Sequence, residues 1–371
     1  MSRALPRLQS PEAMEALDRS GDDGRNIDKD MGTLSGEAAR QATLETKYDT
    51  ALHSQAFPYV PTHQSSANPT YYEMPMLKQP VWEWDIAAYF YVGGAAGASA
   101  ALGAAAQLCA PRSMRSLITR ANWIGTVGGA ISACFLIYDL GRPSRFLNML
   151  RVFRVSSPMN MGSWILSVFS TCAGGAAVLP LGPGLFRPLA SPLGLVAGLF
   201  GLGLSSYTGV LLAQTAVPVW QQSYRVLPIL FAASGTAASA AIFEFFSWND
   251  QELRTIERFG LVGKIGELVA AIALEREASR VERVGRPLKR GFGGFLWQSA
   301  KILTVAGIVV ALLPGKGRGK RTVSGILGTA GSLCTRFGIF YAGKSSSRDP
   351  RATFEQQRHI PPPSVSASFG N

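Results

Sequence analysis

Five stretches of the chain carry no charged side chain over 18 to 31 consecutive residues. A bilayer core about 30 Å thick is crossed by roughly 20 apolar residues in an α-helix, so each stretch is long enough to span a membrane. The runs are apolar throughout and lack the alternating pattern of a membrane β-barrel. The sequence therefore predicts an all-α integral membrane protein. The five runs are 86–110, 121–138, 161–185, 189–219 and 226–243.

Three further apolar runs follow, each interrupted by one or two charged residues. Counting them gives about eight transmembrane helices, of which the sixth is the most polar. Glycines spaced four residues apart within the runs predict close helix packing, because both members of a pair lie on one helix face. The three later runs are 259–274, 292–313 and 323–342, which hold Lys264 and Glu267, Lys301, and Arg336, respectively.

The composition supports a membrane protein and excludes two other classes. Only 16% of the residues are charged, well under the roughly 25% of soluble domains, although the net charge is +12. The basic residues lie in short loops between apolar runs, which is not the pattern of a nucleic-acid-binding protein. Residues 1–70 are polar and predict a disordered tail without a cleavable signal peptide. We expect the transmembrane domain to cover 71–344 and a second tail to cover 345–371.

The cysteines and histidines provide no ligands for a redox cofactor of the chain's own. No Cys-x-x-Cys motif occurs, and the four cysteines are separated along the sequence. All three histidines lie outside the predicted spans, whereas haem in a membrane bundle needs axial ligands inside it. We therefore expect neither haem, nor an iron–sulfur cluster, nor another bound metal in this chain. The histidines are His53, His63 and His359.

The densest group of polar residues follows the second span. Asp139 lies at the predicted lipid boundary, where an acid is costly unless it is paired, and Arg142 and Arg145 are near enough in sequence to pair with it. Arginine can donate to a quinone oxygen, a carboxylate can exchange the proton of a quinol, and Tyr138 or Trp164 can stack on the ring. The alternative is a salt-bridged loop that only fixes the membrane topology.

Two acids near or within later spans are candidates for a proton path, since buried intramembrane acids often carry protons. They are Glu244, at the end of the fifth run, and Glu267, within the sixth. Glu267 follows Lys264 by three residues, so an equally good interpretation is a neutralised pair that joins helices. The charged segment 275–290 is interpreted as a solvated loop. The segment 314–321 lacks the spacing of a phosphate loop and is interpreted as a basic turn.

Several segments, in this order, resemble the NrfD/polysulfide-reductase family of membrane subunits over residues 71–358. The stretch 139–164 resembles the family signature LGxPxR…SPMSxGSW, with Asn160 where serine is common. The other matching segments are Tyr71-Tyr72-Glu73, Pro80 to Trp84, Tyr89 to Ser99, Tyr207 to Leu212, Ala216 to Trp220, and Arg336 to Pro350.

The resemblance implies eight or more transmembrane helices arranged as two four-helix bundles. It implies quinone or quinol binding near one membrane face, without a redox cofactor in this chain. The implied partners are a ferredoxin-like iron–sulfur subunit and a catalytic subunit of the molybdopterin or a related type, in a bacterial inner membrane. Asp139 matches an acid or histidine implicated in quinol proton exchange, and Arg145 matches the arginine of LGxPxR. Ser163 lies near a position where some relatives have an acid.

Together these observations predict a non-autonomous subunit that oxidises quinol or reduces quinone. Asp139 and Arg145 are the candidate catalytic residues. The competing classes are a transporter and a passive membrane anchor. A transporter would show broken spans with polar groups at the bilayer midplane, whereas the main polar group lies at the end of a span, which favours the first interpretation. The candidate quinone-binding residues are Tyr89, Tyr138, Arg142, Ser163 and Trp164.

Overall fold

The structure, a computed structural model, describes residues 77–140, 146–315 and 317–359. Within these ranges the chain is helical and contains no strand. The tail 1–70, Arg142 and Arg145 lie outside the described residues. The helices are α1 (Trp84–Cys109), α2 (Arg115–Asp139), α3 (Phe146–Met149), α4 (Pro158–Val178), α5 (Ala190–Ala213), α6 (Pro218–Gln222), α7 (Leu227–Phe243), α8 (Asp250–Ala278), α9 (Glu282–Gly285), α10 (Gly291–Leu312), α11 (Arg318–Ser347) and α12 (Pro350–His359).

The long helices form two bundles in chain order. In the first bundle α1 packs on α2 and α5, and α4 packs on α2 and α5. In the second bundle α7 packs on α8 and α11, and α10 packs on α8 and α11. The bundles join where α7 contacts α1 and α5, and where α11 contacts α1. This arrangement agrees with the expected two four-helix bundles.

Six of the described helices are long and apolar enough to cross a membrane, and the chain is a multi-pass membrane protein. These six are α1, α2, α4, α5, α10 and α11, with α4 and α5 each extended by a short 3-10 turn. The helix α7 is apolar but has only 17 residues, and α8 has 29 residues with charged side chains. That all eight long helices cross the membrane stays a prediction.

Small residues let the helices of the first bundle approach closely. Gly97 of α1 and Gly201 of α5 face each other, and a methyl group on either would overlap the carbonyl oxygen of the other. Backbone contact of this kind requires glycine, which has no Cβ. Such close packing stabilises the bundle because lipid supplies no hydrophobic force that drives helices together. Gly97 and Gly93 form one of the glycine pairs spaced four residues apart, so the packing role of Gly97 was correctly predicted.

Two segments differ from their predicted conformation. The segment 275–290 is not a solvated loop, because α8 continues to Ala278 and α9 follows it. Val284 in α9 and Val281 and Leu288 on either side of it are buried. These apolar residues were not recognised as buried because most of their neighbours in the sequence are charged. The basic turn predicted for 314–321 ends earlier than expected, because α11 begins at Arg318.

A candidate quinone site and a buried polar row

One end of the first bundle carries most of the candidate residues. There the start of α1, the end of α2, the start of α4 and the end of α5 meet, and we call this region the site end. Asp139 is the last residue of α2 and is exposed. Tyr138, beside it, is 71% exposed. The carboxylate of Asp139 is close enough to those of Glu83 and Asp85 for mutual repulsion.

The loop from α3 to α4 is shaped by a single amide side chain. Asn160 Nδ2 donates to the carbonyl oxygens of Met149 at 2.7 Å and Val152 at 2.8 Å, and its Oδ1 accepts from the Arg154 N–H at 2.7 Å. The side chain of Ser157 caps α4 by accepting from the Asn160 N–H at 3.4 Å. A serine at 160 has no amide with which to make all three loop contacts. The departure from the family pattern at this position therefore has a structural use.

Ser163 and Trp164 lie in the first turns of α4, but only Ser163 has a partner for its side-chain hydrogen-bond donor. The Ser163 hydroxyl is buried and donates to the Met159 carbonyl at 3.1 Å, with Met149 Sδ at 3.7 Å. The Trp164 ring packs edge-on against Phe153, 5.8 Å between centroids. Among the described residues nothing accepts from the buried Trp164 Nε1. The indole N–H is therefore available to donate a hydrogen bond, beside the ring of Phe153.

A group of buried polar side chains lies on α1 and α2 near the site end. Asp85 and Tyr89 are one turn apart on the same face of α1 and are 2% and 1% exposed. Ser132 of α2 is fully buried, and it and Tyr89 both lie next to Gly93. Asp85 Oδ1, Tyr89 Oη and Ser132 Oγ have no hydrogen-bond partner among the described residues. Buried polar groups are nearly always paired, so these three indicate a place for a polar ligand or water.

Tyr89 was a candidate from the sequence, but Asp85 and Ser132 were missed. Asp85 directly precedes the first uncharged run and lies four residues before Tyr89, which was a usable signal. Ser132 resembled the other small residues of the second span, and no signal separated it from them. A further neighbour is Tyr207 of α5, whose ring lies against Gly162 of α4 so closely that a methyl group there would overlap it.

The second bundle holds a buried ion pair that differs from the predicted one. Lys264 Nζ lies 3.4 Å from Glu244 Oε1 and donates to Ser324 Oγ at 2.7 Å. The alternative interpretation, in which Lys264 and Glu267 form a neutralised pair, is therefore wrong. The two lie on one face of α8, but Glu244, at the end of α7, reaches the ammonium instead. All of these side chains are buried.

Glu267 faces the middle of the second bundle, towards α11. Its Oε2 accepts from Ser332 Oγ at 3.3 Å, and its Oε1 has no partner among the described residues. Arg336 of α11, 1% exposed, is near enough for electrostatic attraction to Glu267. The Arg336 Nη2 donates to the Phe231 carbonyl at 2.6 Å, and its guanidinium lies 4.0 Å from the Phe231 ring centroid.

A third pair continues the row of charged groups along α8. Lys301 of α10 forms a short salt bridge to Glu275, which also accepts from Trp297 Nε1 at 3.3 Å. A small cavity of about 10 Å³ lies between this pair and Glu267, and Lys301, Thr304 and Thr335 contribute to its wall. That volume suits about one water molecule. We call Glu244, Lys264, Glu267, Arg336, Lys301 and Glu275 the polar row.

The described residues contain no group of three or more His, Cys, Asp and Glu side chains in a metal-binding arrangement. The four cysteines are free thiols on four different helices or helix ends. The predicted quinone site would need only hydrogen-bond donors and carboxylates, and the unpartnered atoms at the site end fit that requirement.

Two comparisons with known proteins found a match. The family model "Polysulphide reductase, NrfD" matches residues 73–346. One subunit of the polysulfide reductase of Wolinella succinogenes is 31% identical over 183 residues, which cover 43% of this protein and 55% of that subunit. The protein thus spans about half the length of this curated relative.

Proposed function

Because the chain belongs to the polysulphide reductase NrfD family, we propose that it is the quinone-interacting membrane subunit of a respiratory oxidoreductase complex. The supporting observation is the group of unpartnered buried atoms at the site end, on Asp85, Tyr89 and Ser132. A quinone ring offers two carbonyl oxygens, and a quinol offers two hydroxyl groups. A pocket that binds either one needs donors and acceptors not already used by the protein.

The residues of the site end can fill these roles. The hydroxyl groups of Tyr89 and Ser132 and the indole N–H of Trp164 are donors for a carbonyl oxygen. Oxidation of a quinol releases two electrons and two protons. The Asp85 carboxylate, buried beside Tyr89, accepts one proton, and the exposed Asp139 carboxylate accepts the other; from Asp139 both protons pass to bulk water. We propose that Arg142 and Arg145 hold the ring oxygen nearest Asp139.

We further propose that the electrons pass to an iron–sulfur partner subunit of the ferredoxin type, itself attached to a molybdopterin-type or related catalytic subunit. The relative is named as one subunit of polysulfide reductase, which supports an enzyme of several subunits. The site end also presents exposed apolar side chains in the segment between α2 and α4, where a partner could cover them. These are Leu147, Phe153 and Val155, which are 68%, 60% and 71% exposed.

A Tyr89→Phe variant tests the quinone site without a confounding loss of stability. Removing a buried hydroxyl that has no partner leaves no group unsatisfied, so folding should be unaffected. Binding of a fluorescent hydroxyquinoline N-oxide, a quinol analogue, should weaken about tenfold through loss of one hydrogen bond. The matched control is Tyr224→Phe, whose half-exposed hydroxyl accepts from Arg225 Nε at 2.6 Å. Unchanged binding in Tyr89→Phe would overturn the proposed site.

We also propose that proton movement accompanies the redox reaction through the polar row. Its support is that buried and partly buried acids and bases occur at successive levels of α8, with Lys264 and Glu275 separated by about 16 Å along the helix. In vesicles that contain the whole complex, Glu267→Gln should lower the protons moved per electron while quinol oxidation continues. An unchanged ratio would show that the row is only structural. The partly buried Glu257, outside the row, provides the control Glu257→Gln.

A further inference from the structure

The lipid-facing side of α8 leads directly into two arginines. Val262, Ile265, Val269 and Ile272 are 69%, 45%, 61% and 40% exposed and follow one another at spacings of three and four residues. Continuing that stripe towards the start of the helix by steps of four gives Arg258 and Arg254, which are also exposed. Side chains at these spacings lie on one helix face. A lipid chain resting on the apolar part of the stripe would therefore have its headgroup beside the arginines.

The helix is long enough for its first turns to leave the hydrocarbon region. Its 29 residues extend about 43 Å, against a bilayer core of about 30 Å. A tryptophan just before α8 marks the same level, since tryptophan and tyrosine concentrate at the membrane interface. This is Trp248, whose ring centroid lies 4.3 Å from the Arg120 guanidinium. Arg254 and Arg258 thus lie at headgroup depth.

A pocket is present at this position. It has a volume of about 530 Å³ and is lined by Met114 at the start of α2 and by residues of the first turns of α8. The start of α8 is held to α2 by the Leu117 N–H, which donates to the buried Glu252 Oε1 at 2.9 Å. The pocket therefore lies between the two bundles. Its α8 residues are Asp250, Gln251, Arg254, Thr255 and Arg258.

The two guanidinium groups at this pocket belong to Arg254 and Arg258, and among the described residues neither forms a salt bridge. Asp250, which also lines the pocket, interacts with another group. At the start of α8 the Glu252 N–H is already used, because it donates to Asn249 Oδ1 at 2.8 Å in a capping box. The positive charges at the pocket are those of the two arginines, which are about 6 Å apart along the helix axis.

We propose that this pocket binds the phosphate headgroup of an anionic glycerophospholipid, with its acyl chains on the apolar stripe of α8. The lipid would occupy the groove between α2 and α8 and join the two bundles at the end opposite the site end. A lipid headgroup fits better than a free phosphate or an acidic protein, because the arginines continue a lipid-facing surface. A zwitterionic lipid should bind less well, since the positive charge of its own headgroup competes with the arginines for the phosphate.

The test titrates short-chain phosphatidylglycerol or phosphatidylcholine into the full-length protein in micelles and counts bound lipids by native mass spectrometry. Wild type should retain one phosphatidylglycerol more tightly than phosphatidylcholine. The double variant Arg254→Gln with Arg258→Gln should bind phosphatidylglycerol about thirtyfold more weakly, from the loss of two interfacial cations. The charge-matched control is Arg112→Gln with Arg187→Gln, two exposed arginines on the same side of the bundles that do not line the pocket. The affinity of this control variant for phosphatidylglycerol should equal that of the wild type.

A second variant separates occupancy of the pocket from net charge. Thr255→Trp fills the pocket with both arginines intact, and it should also abolish the tight phosphatidylglycerol complex. Equal losses in the control and test double variants would show non-specific electrostatics and overturn the proposal. Displacement of the lipid by inorganic phosphate at equal concentration would reassign the pocket to a soluble anion. A wild-type protein that does not distinguish the two lipids would overturn it as well.

Discussion

Replacing Lys264 by methionine should destabilise the second bundle by about 3–5 kcal/mol, the usual cost of breaking a buried ion pair from one side. The side chains of Lys264 and Glu244 are 2% and 7% exposed, so water cannot replace the lost partner. The other carboxylate oxygen, Glu244 Oε2, already has no partner among the described residues. Removing the ammonium would leave a buried carboxylate without a counter-charge. Packing contributes little to the loss, because methionine can follow the path of the lysine stem past Gly307 and Gly328.

The free energy of unfolding can be measured by titrating the purified protein from mild detergent into a denaturing detergent. The double variant Lys264→Met with Glu244→Leu should recover most of the stability, since removing both members of a buried pair is often neutral. The matched control is Lys301→Met, in a pair whose side chains are 21% and 20% exposed. Because this pair is only partly buried, its expected loss lies between those of exposed and buried pairs, about 1–3 kcal/mol. A Lys264→Met loss as small as that of the control, or a double variant as unstable as the single one, would refute the reasoning.

Three other substitutions have expected outcomes in the first bundle. Asn160→Ala removes three side-chain hydrogen bonds and should cost about 2–4 kcal/mol, measured by the same titration, with faster proteolysis of the loop before α4. Gly201→Ala should cost about 1–3 kcal/mol, because its methyl group would meet the Gly97 carbonyl; normal stability would contradict the close contact. Gly162→Ala should displace the ring of Tyr207, visible as increased nitration of that tyrosine, whereas unchanged nitration would show that the ring is not held there.

The helices were predictable because the bilayer leaves so few alternatives for an apolar run. All eight predicted runs coincide with long helices, although the ends moved where the sequence offered competing signals. The run 189–219 contains both α5 and the start of α6, because no charge marks the turn before Pro218. The run 161–185 extends beyond α4, which ends at Val178. A 3-10 turn that contains Pro180 follows at Leu179–Leu181.

Side-chain partners were harder to predict than helices. Lys264 and Glu267 satisfy the local rule for a helical pair, yet a residue 20 positions away from Lys264 in sequence provides its carboxylate. The spacing along the sequence predicts which side chains share a helix face. Which of them come into contact depends on how α7 packs against α8. The same holds for Ser132, whose importance at the site end depends on the neighbouring Gly93 and Tyr89.

The site end and the polar row are joined by a continuous set of contacts across the bundle interface. Arg336 extends from α11 to the Phe231 carbonyl, and its Nη2 lies beside Gly94 of α1, where a Cβ would approach to 2.8 Å. The Phe231 ring packs edge-on against Phe90, 5.7 Å between centroids, and Phe90 is 5.9 Å from Tyr89. Both the ring and the carbonyl of Phe231 contact the Arg336 guanidinium, so a movement of Arg336 changes its contacts with Phe231. We therefore expect a change in charge at Glu267, which attracts Arg336, to affect the side chains that pack against Tyr89.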